Sequence, residues 1–438
     1  MEAVLERSRS LRARRVIAWP VAIAVAGWAL VVVAGHVLGS ALIARDPLVH
    51  IGAPPLVGSF DLRLPVAVLP ALALAVAAIA WAPALAAGLP WRRLLAASWA
   101  AGAGWAVALA ATDGWDALAA PLATSYEQLT AVSLVGSPGA FLEAFTSALP
   151  SYAVHVQGHP PGGVLVLWAL DGIGLGGAGF AAALAIGCGA LTAPAALVAL
   201  RTLAGEAQAR AAAPFLIFTP AAIWMATSMD ALYAGVAATG IALFALACTA
   251  PARGRRSALL AIFAGLVLGA ALNLSYGIAV LGAVVLAIAA VRRRPAAVAW
   301  VAGGVALVFA VFLAARFNWL EGLQATREQY LAGVSRRRPY AEFLVISLAA
   351  FALAIGPAAA AGLARLRGRG AWVLAGGALA AIAAATLSGM SKGETERIWL
   401  HLAPWLLVAT ASLPHARRWL AGQIALALAL QLAVNSPW

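Results

Sequence analysis

The sequence predicts an all-α polytopic membrane protein with roughly 13 transmembrane helices. Of its 438 residues, 64% are hydrophobic and 10% are charged, whereas soluble domains are roughly 25% charged. Mean hydropathy is +0.93. Apolar runs of about 16 to 27 residues alternate with short charged or Pro/Gly-rich breaks, and about 20 apolar residues cross a hydrocarbon core as a helix. The ~10-residue alternating segments typical of a membrane β-barrel are absent from the sequence.

The apolar runs supply the candidate spans in order along the chain. They are 16–43, 63–87, 91–112, 160–200, 211–250, 257–273, 276–291, 295–314, 341–364, 371–388, 399–413 and 419–435. The first follows the basic stretch RSRSLRARR with no small-residue cleavage signal after it, which predicts a retained signal-anchor helix. We treat 1–438 as a single integral membrane domain.

The net charge of +13 reflects topology, because the cations are grouped at the ends of apolar runs. We therefore expect no nucleic-acid partner. The positive-inside rule predicts a multi-pass membrane protein with a cytoplasmic N-terminus. The clusters placed in the cytoplasm are RSRSLRARR, Arg92-Arg93, RGRR at 253–256, RRR at 292–294, RLRGR at 365–369 and HARR at 415–418.

That assignment requires segment 160–250 to make an odd number of crossings. Two arrangements satisfy it. In the first, 160–200 crosses once with a non-spanning turn and 211–250 crosses twice, which leaves Asp230 near the outer surface. In the second, 160–175 and 177–200 form a hairpin and 211–250 is one broken span, kinked near Pro214 and Pro220.

The outer face then receives loops 44–62, 113–159, 315–340 and 388–398. Ten of the sixteen acidic residues fall in these loops, although acidic residues contribute little to orientation. We therefore expect any chemistry at the outer face. The ten are Asp46, Asp61, Asp113, Asp116, Glu127, Glu143, Glu321, Glu328, Glu394 and Glu396.

Loop 113–159 is too long and too apolar for an ordinary disordered connection. Its stretch SPGAFLEAF predicts an amphipathic helix with Ser137 as N-cap, Pro138 at the first position, and Leu142 and Phe145 on one side. We expect this helix to lie in the membrane interface, with a packed lid as the alternative. At HVQGHPPGG the prolines predict an extended segment, which disfavours a metal site at His155 and His159 and allows Gly162 and Gly163 a close approach.

Charged residues near the membrane boundary are the candidate substrate-binding groups, because such charges usually pair or line a cavity. Arginine suits phosphate, which it binds through two parallel hydrogen bonds, although the arginines of loop 315–340 would equally suit an amphipathic helix attracted to lipid headgroups. The candidates are Arg336, Arg337, Lys392, Glu396, Arg397 and Asp230. The sequence contains no Walker motif, no HExxH motif and no CxxC framework, so nothing indicates direct use of ATP.

The order of these features resembles GT-C membrane glycosyltransferases. It includes an N-terminal in-to-out helix, an acidic outer loop, an amphipathic helix, a Pro-Pro corner that starts a span, and a late outer loop with arginine. The likeness is greatest to the branch of protein O-mannosyltransferases and aminoarabinose transferases, especially its actinobacterial members. The likeness in sequence motifs covers roughly residues 115–250. Over the rest of the chain only the order of the predicted membrane spans is similar.

The resemblance implies a sugar transfer from a polyprenyl-phosphate donor to a glycan, glycolipid or protein acceptor at the outer face of a bacterial plasma membrane. In that family a carboxylate deprotonates the acceptor hydroxyl, and the acid about thirty residues before the Pro-Pro corner is Glu127 here. Family members usually have Asp at that point, where this chain has Tyr126-Glu127. Asp116 is the second catalytic candidate, and Asp113 and Asp46 are further alternatives.

The same resemblance implies that Tyr126, His155 and His159 line the substrate site, and that cations stabilise the leaving phosphate. A divalent cation, Mg or Mn, could share that task, as in some relatives. Two other functions stay open from the sequence. One is a transporter or flippase of a lipid-linked or anionic substrate. The other is a catalytically degenerate GT-C scaffold.

Overall fold

A computed structural model describes residues 2–251 and 254–438, with side chains from residue 19 onward. Almost all of the described chain is helical. The helices are α1 (Glu2–Arg45), α2 (Leu69–Gly88), α3 (Trp91–Ala110), α4 (Pro138–Ala148), α5 (Val154–Gln157), α6 (Gly162–Gly172), α7 (Ala178–Gly189), α8 (Thr192–Ala204), α9 (Glu206–Ile217), α10 (Asp230–Thr249), α11 (Arg255–Leu272), α12 (Gly282–Arg292), α13 (Pro295–Ala314), α14 (Trp319–Ala332), α15 (Tyr340–Leu363), α16 (Arg369–Leu387), α17 (Thr395–Ile398), α18 (Ala403–Leu407) and α19 (Ala416–Ala433). Two short strands, β1 (Ser59–Phe60) and β2 (Val434–Asn435), pair antiparallel.

Nine helical stretches within the described ranges are long and apolar enough to cross a membrane, which supports the predicted all-α polytopic membrane protein. They are Trp19–Arg45, Val66–Gly88, Trp91–Asp113, Ala178–Ala204, Asp230–Thr249, Arg255–Leu272, Pro295–Ala314, Tyr340–Leu363 and Arg369–Leu387. Three further apolar stretches are shorter: Gly162–Gly172, Tyr276–Arg292 and Ala403–Ser412. The total of roughly 13 transmembrane helices therefore stays a prediction.

Segment 160–250 contains two candidate spans, Ala178–Ala204 and Asp230–Thr249. Helix α6 has 11 residues, which span only about 16 Å, so it is too short to cross a bilayer core of about 30 Å. Helices α7 and α8 run on almost without a break as one candidate span. The start of α9 and the end of α10 lie at the same end of the bundle. Since α9 has only 12 residues, the choice between the two predicted arrangements stays a prediction.

That shared end collects the basic clusters, and we call it the basic end. Arg292 donates to the carbonyl of Thr202 at the end of α8 (3.1 Å), and Arg294 donates to the carbonyl of Ala250 after α10 (2.8 Å). Arg210 donates to the carbonyls of Ala86 and Leu89 at the corner between α2 and α3, both at 2.8 Å. These contacts bring together clusters that the sequence predicted on one side. The side chains of RSRSLRARR and residue Arg253 lie outside the described residues.

The centre of the bundle is α10, most of whose residues are buried, whereas the described side chains of α1 are largely exposed. Small residues allow the helices to approach closely. Gly265 on α11 and Gly304 on α13 each lie against the backbone of the other helix, where a Cβ would collide with it. Such small-residue contacts are typical of helix pairs in membranes, where no hydrophobic force drives helices together.

Helix α15 is interrupted at Gly356, whose φ of 71° lies in the left-handed region, just before Pro357. The interruption frees backbone groups that must find partners in an apolar environment. Gln423 on α19 supplies them, because its Oε1 accepts from the amide of Ala358 (3.3 Å) and its Nε2 donates to the carbonyl of Ile355 (2.5 Å). The break is therefore a built feature of the fold.

Candidate active site

The predicted loops 113–159, 315–340 and 388–398 meet the first residue of α10 at the end of the bundle away from the basic end. We call this the site end. Helix α10 links the two ends, since it starts at Asp230 and finishes beside the basic cluster 292–294. The polar side chains gathered here are far apart in sequence, and the helix bundle alone brings them together.

Glu127 lies at the centre of the site end and is 5% exposed. Its Oε1 lies 2.7 Å from Nδ1 of His155. The backbone holds the same pair together, because the amide of His155 donates to the carbonyl of Tyr126 (3.0 Å). Among the described residues, Oε2 of Glu127 accepts no hydrogen bond. The carboxylate is thus fixed through one oxygen and free at the other.

The histidine segment differs from the extended conformation that the prolines predicted. His155 belongs to α5, a single helical turn, and Nδ1 of His159 lies 2.7 Å from the carbonyl O of His155. The prolines follow this turn and do not interrupt it, so their restriction falls on residue 159 onward. The turn places His155 against Glu127 and leaves Nε2 of His159 3.8 Å from Oδ1 of Asp230.

Arg397 is the hub of the site end and is 4% exposed. Its Nη1 donates to Oδ2 of Asp230 (2.6 Å) and its Nη2 to Oε2 of Glu394 (2.8 Å). Nη2 also lies 3.4 Å from Nε2 of His155. Burial alone would lower the pKa of Arg397, but the three carboxylates Asp230, Glu394 and Glu127 outweigh it and raise that pKa.

These contacts are satisfied together by one tautomer of His155. With its proton on Nδ1, the ring donates to Glu127 and accepts from Arg397 through Nε2. Burial alone would raise the pKa of Glu394, but the guanidinium groups of Arg397 and Arg338 hold it below its usual value. The cluster therefore places the carboxyl groups of Asp230 and Glu394 against one buried guanidinium, and His155 holds Glu127 beside them.

The Pro-Pro corner lies directly beside this cluster. The two glycines that follow the prolines, Gly162 and Gly163, have no room for a side chain. A Cβ at Gly162 would collide with the carbonyl of Asn273, to which the amide of Gly162 donates (3.0 Å). A Cβ at Gly163 would collide with Oε1 of Gln128, whose Nε2 donates to the hydroxyl of Tyr233 (2.6 Å). The close approach predicted for these two glycines is present.

Lys392 and Arg338 connect the loops to each other. Nζ of Lys392 donates to the carbonyls of Ser335 (2.7 Å) and Arg338 (3.0 Å). Arg338 is buried and donates to the carbonyls of Val49 (3.0 Å) and Lys392 (2.6 Å). Backbone carbonyls thus occupy two of the three N–H donors of the Lys392 ammonium group.

Glu396 lies beneath the loop 47–60 and is completely buried. Its Oε1 accepts from the amide of Val57 (3.4 Å), while Oε2 has no partner in the described part of the chain. Burial raises the pKa of Glu396 to about 7. Near neutral pH this carboxyl is therefore poised between its protonated and ionised forms.

Several predicted site residues lie apart from the cluster. Asp116 is exposed on a 3₁₀ helix, and the side chain of Tyr126 points outward, 62% exposed. Arg336 is exposed, and Arg337 pairs with Asp46 (3.1 Å). The alternative base Asp113 pairs with Arg63.

The loop helices also pack differently from the prediction. Helix α4 starts at Pro138 with Ser137 as N-cap, as predicted, and its side chain accepts from the amide of Ala140 (3.3 Å). Its apolar face, which includes Phe145, is buried against Phe317 and other apolar residues of the chain. The alternative of a packed lid describes α4 better than a helix whose apolar face is free for lipid.

Sequence reasoning does not single out three residues of the site end. Glu394 and Arg338 belong to predicted charged stretches, but nothing in the sequence distinguishes them from their neighbours. Trp438 lies 4.4 Å from the guanidinium of Arg397 and 6.0 Å, between ring centres, from His155. An indole placed over a cation in this way is attracted to it.

Two cavities flank the segment 434–438 at the site end. One, of about 410 Å³, is lined by residues of loop 43–59 and by Asn435 to Pro437. The other, of about 280 Å³, lies between the loop 110–124, residues 223 and 227, and the segment 431–438. Ligand pockets usually measure roughly 300 to 1,000 Å³, so the first cavity lies within that range and the second is just below it.

The described residues do not offer a metal site. They contain no group of three or more His, Cys, Asp or Glu side chains that could hold an ion, and Asp230 and Glu394 are already paired with Arg397. No protein-family model matches this chain, and neither do the curated proteins or the solved structures with which it was compared.

Proposed function

We propose that the chain is a GT-C-type glycosyltransferase of the outer face of a bacterial plasma membrane. It would move a sugar from a polyprenyl-phosphate donor to a glycan, glycolipid or protein acceptor. The observation that carries the proposal is Glu127, a nearly buried carboxylate fixed by His155 through Oε1 and free at Oε2. A general base needs this combination of fixed orientation and a free oxygen.

In this mechanism Oε2 of Glu127 takes the proton of an acceptor hydroxyl. The hydroxyl oxygen then forms a bond to the anomeric carbon while the bond from that carbon to the phosphate oxygen breaks, with inversion. His155 orients the carboxylate, and Arg397 stabilises its charge. The cation is already paired with Asp230 and Glu394, so we assign it to this positioning role.

The leaving phosphate needs cations that the protein has not already engaged. Arg336 and Arg327 are exposed at the site end and have no partner among the described residues. We assign them to the phosphate in place of Lys392, because backbone carbonyls occupy two of the three donors of that ammonium group. Since the donor set does not fit a divalent cation, no step is routed through one.

The test is transfer of a radiolabelled sugar from a polyprenyl-phosphate donor by purified protein in lipid nanodiscs. Glu127→Gln keeps the shape of the side chain and removes its basicity, so we expect transfer to fall by at least about 100-fold. The matched control is Glu143→Gln, which changes an exposed carboxylate on α4 of the same loop. Wild-type transfer by Glu127→Gln, with normal insertion, would refute the base assignment.

A transporter of a lipid-linked or anionic substrate is the second candidate, and the interrupted helices favour it. Transporters build their sites from discontinuous helices, and this chain has a break in α15 at Gly356 and an irregular stretch between α9 and α10. Movement of a fluorescent polyprenyl-phosphate sugar across reconstituted vesicles, without any covalent product, would favour this function over transfer.

A further inference from the structure

The cavity of about 280 Å³ at the site end is lined by polar groups that lack partners. The hydroxyl of Thr227 and the indole Nε1 of Trp438 are buried and form no hydrogen bond in the described part of the chain. Thr227 is 6% exposed. Since buried polar groups in proteins nearly always have a partner, these two indicate a ligand or water in the cavity.

Two further side chains of the same wall have free groups. Gln431 donates through Nε2 to Asp113 (3.0 Å) and Thr112 (3.1 Å), which leaves its Oε1 without a partner. The side-chain amide of Asn435 makes no hydrogen bond among the described residues. The wall therefore offers donors and acceptors together, which matches a ligand whose groups do both, as hydroxyls do.

The charges of this wall exclude a phosphate as its ligand. Asp113 is the charged residue of the lining, and its carboxylate is held by Arg63 and Gln431. No unpaired cation borders the cavity in the residues described, whereas a phosphate needs arginine, lysine or a group of free amides. A neutral ligand with several hydroxyls fits the lining better.

The cavity is also next to the proposed base. Trp438 forms part of its wall and lies over Arg397, and Thr124 of the wall accepts through its carbonyl from the amide of Glu127 (3.2 Å). Aromatic side chains present a flat apolar face against which the C–H groups of a sugar ring can pack. The volume suits a small ring and excludes a long polyprenyl chain.

We propose that this cavity binds a sugar ring next to Glu127, with Thr227, Asn435 and Gln431 bonding its hydroxyls and Trp438 packing against it. The proposal rests on the proposed transferase function for the meaning of the bound ring, which could belong to the acceptor or to the donor. In both cases the shared ligand is a neutral, hydroxyl-rich ring.

The test measures binding by calorimetry to the full chain in nanodiscs, without any transfer. One arm uses free trisaccharides of mannose, glucose and arabinose, and the other uses a polyprenyl-phosphate mannose. Thr227→Val keeps the shape of the buried side chain, and Asn435→Ala removes the free amide. We expect each to weaken binding about fivefold to tenfold, as loss of one hydrogen bond does.

The matched control is Thr386→Val, because the hydroxyl of Thr386 is also buried without a partner but lies on α16, outside the cavity. It should bind as the wild type does. Weakened binding of free trisaccharides assigns the ring to the acceptor, and an effect confined to the lipid-linked sugar assigns it to the donor.

The proposal is overturned if neither probe binds, or if Thr227→Val and Asn435→Ala bind like the wild type. Sugar binding that depends on Thr227 without any sugar transfer would keep this site and refute the transferase function. Transfer that depends on Glu127 but not on Thr227 would support the transferase function and refute the sugar site in this cavity.

Discussion

The two ends of the helix bundle use arginine in opposite ways. At the basic end, Arg210, Arg292 and Arg294 bind backbone carbonyls where helices finish, and Arg210 also pairs with Glu206, an acid that is 36% exposed. At the site end, Arg397 is buried among three carboxylates and a histidine. The first arrangement stabilises helix ends, whereas the second concentrates charge in a low dielectric, where it orients groups strongly.

The largest effect should come from removing the hub. Arg397→Gln leaves the buried carboxylate of Asp230 without its cation, while Glu394, which is partly exposed, keeps only Arg338 (3.5 Å). We expect the free energy of unfolding to fall by about 3–5 kcal/mol and transfer to be lost. Thermal unfolding in detergent measures the first and the transfer assay the second.

The matched change at the basic end is Arg210→Gln, for which we expect a loss of about 1 kcal/mol, because its partner Glu206 remains hydrated. Equal losses for Arg397→Gln and Arg210→Gln would contradict the difference between the two ends.

Glu396 should make stability depend on pH. Its pKa is raised by burial from 4.5 to about 7, so the folded chain holds a proton that the unfolded chain releases above pH 4.5. The free energy of unfolding should therefore decrease as pH rises from about 4.5 to about 7 and then level off. Below pH 4.5 both states are protonated and this loss is absent.

Glu396→Gln should remove this dependence and be more stable than the wild type above pH 7 by up to about 3 kcal/mol. Unfolding curves between pH 4.5 and 8 give the comparison, with Glu143→Gln as the exposed control. A constant difference between Glu396→Gln and the wild type across that range would show that Glu396 does not titrate as described.

The Pro-Pro corner should be sensitive to a single methyl group. Gly162→Ala forces its Cβ into the carbonyl of Asn273, so we expect a loss of about 1–3 kcal/mol in unfolding free energy. Gly172→Ala, at the open end of the same helix, has no atom within 4 Å of the new Cβ and should change stability little. If the two variants unfold at the same temperature, the close approach at the corner is not structurally important.

The smallest effect on stability should come from Arg336→Gln, below about 0.5 kcal/mol, because this side chain is exposed and has no partner among the described residues. If Arg336 binds the leaving phosphate, transfer should nevertheless fall about tenfold. Normal transfer at every donor concentration would remove Arg336 from the site.

The sequence by itself determined the all-helical membrane class, most helix bounds, the shared end of the basic clusters and the need for glycine at 162 and 163. These follow from hydropathy, charge and turn chemistry, which act over a few neighbouring residues. It also supplied Glu127, His155, Asp230 and Arg397 as separate candidates for the site.

The tertiary structure decided which of these side chains meet. Glu127 and Arg397 are 270 positions apart, and no local pattern reports their distance. In the sequence, Lys392 and Arg397 are both cations of the same loop. In the folded chain Lys392 donates to backbone carbonyls, whereas Arg397 pairs with carboxylates. The pairing of β1 with β2, two segments distant in sequence, holds the end of the chain at the site, where Trp438 lies over Arg397. Helix formation is local, whereas the partners of a buried charge depend on how the whole bundle packs.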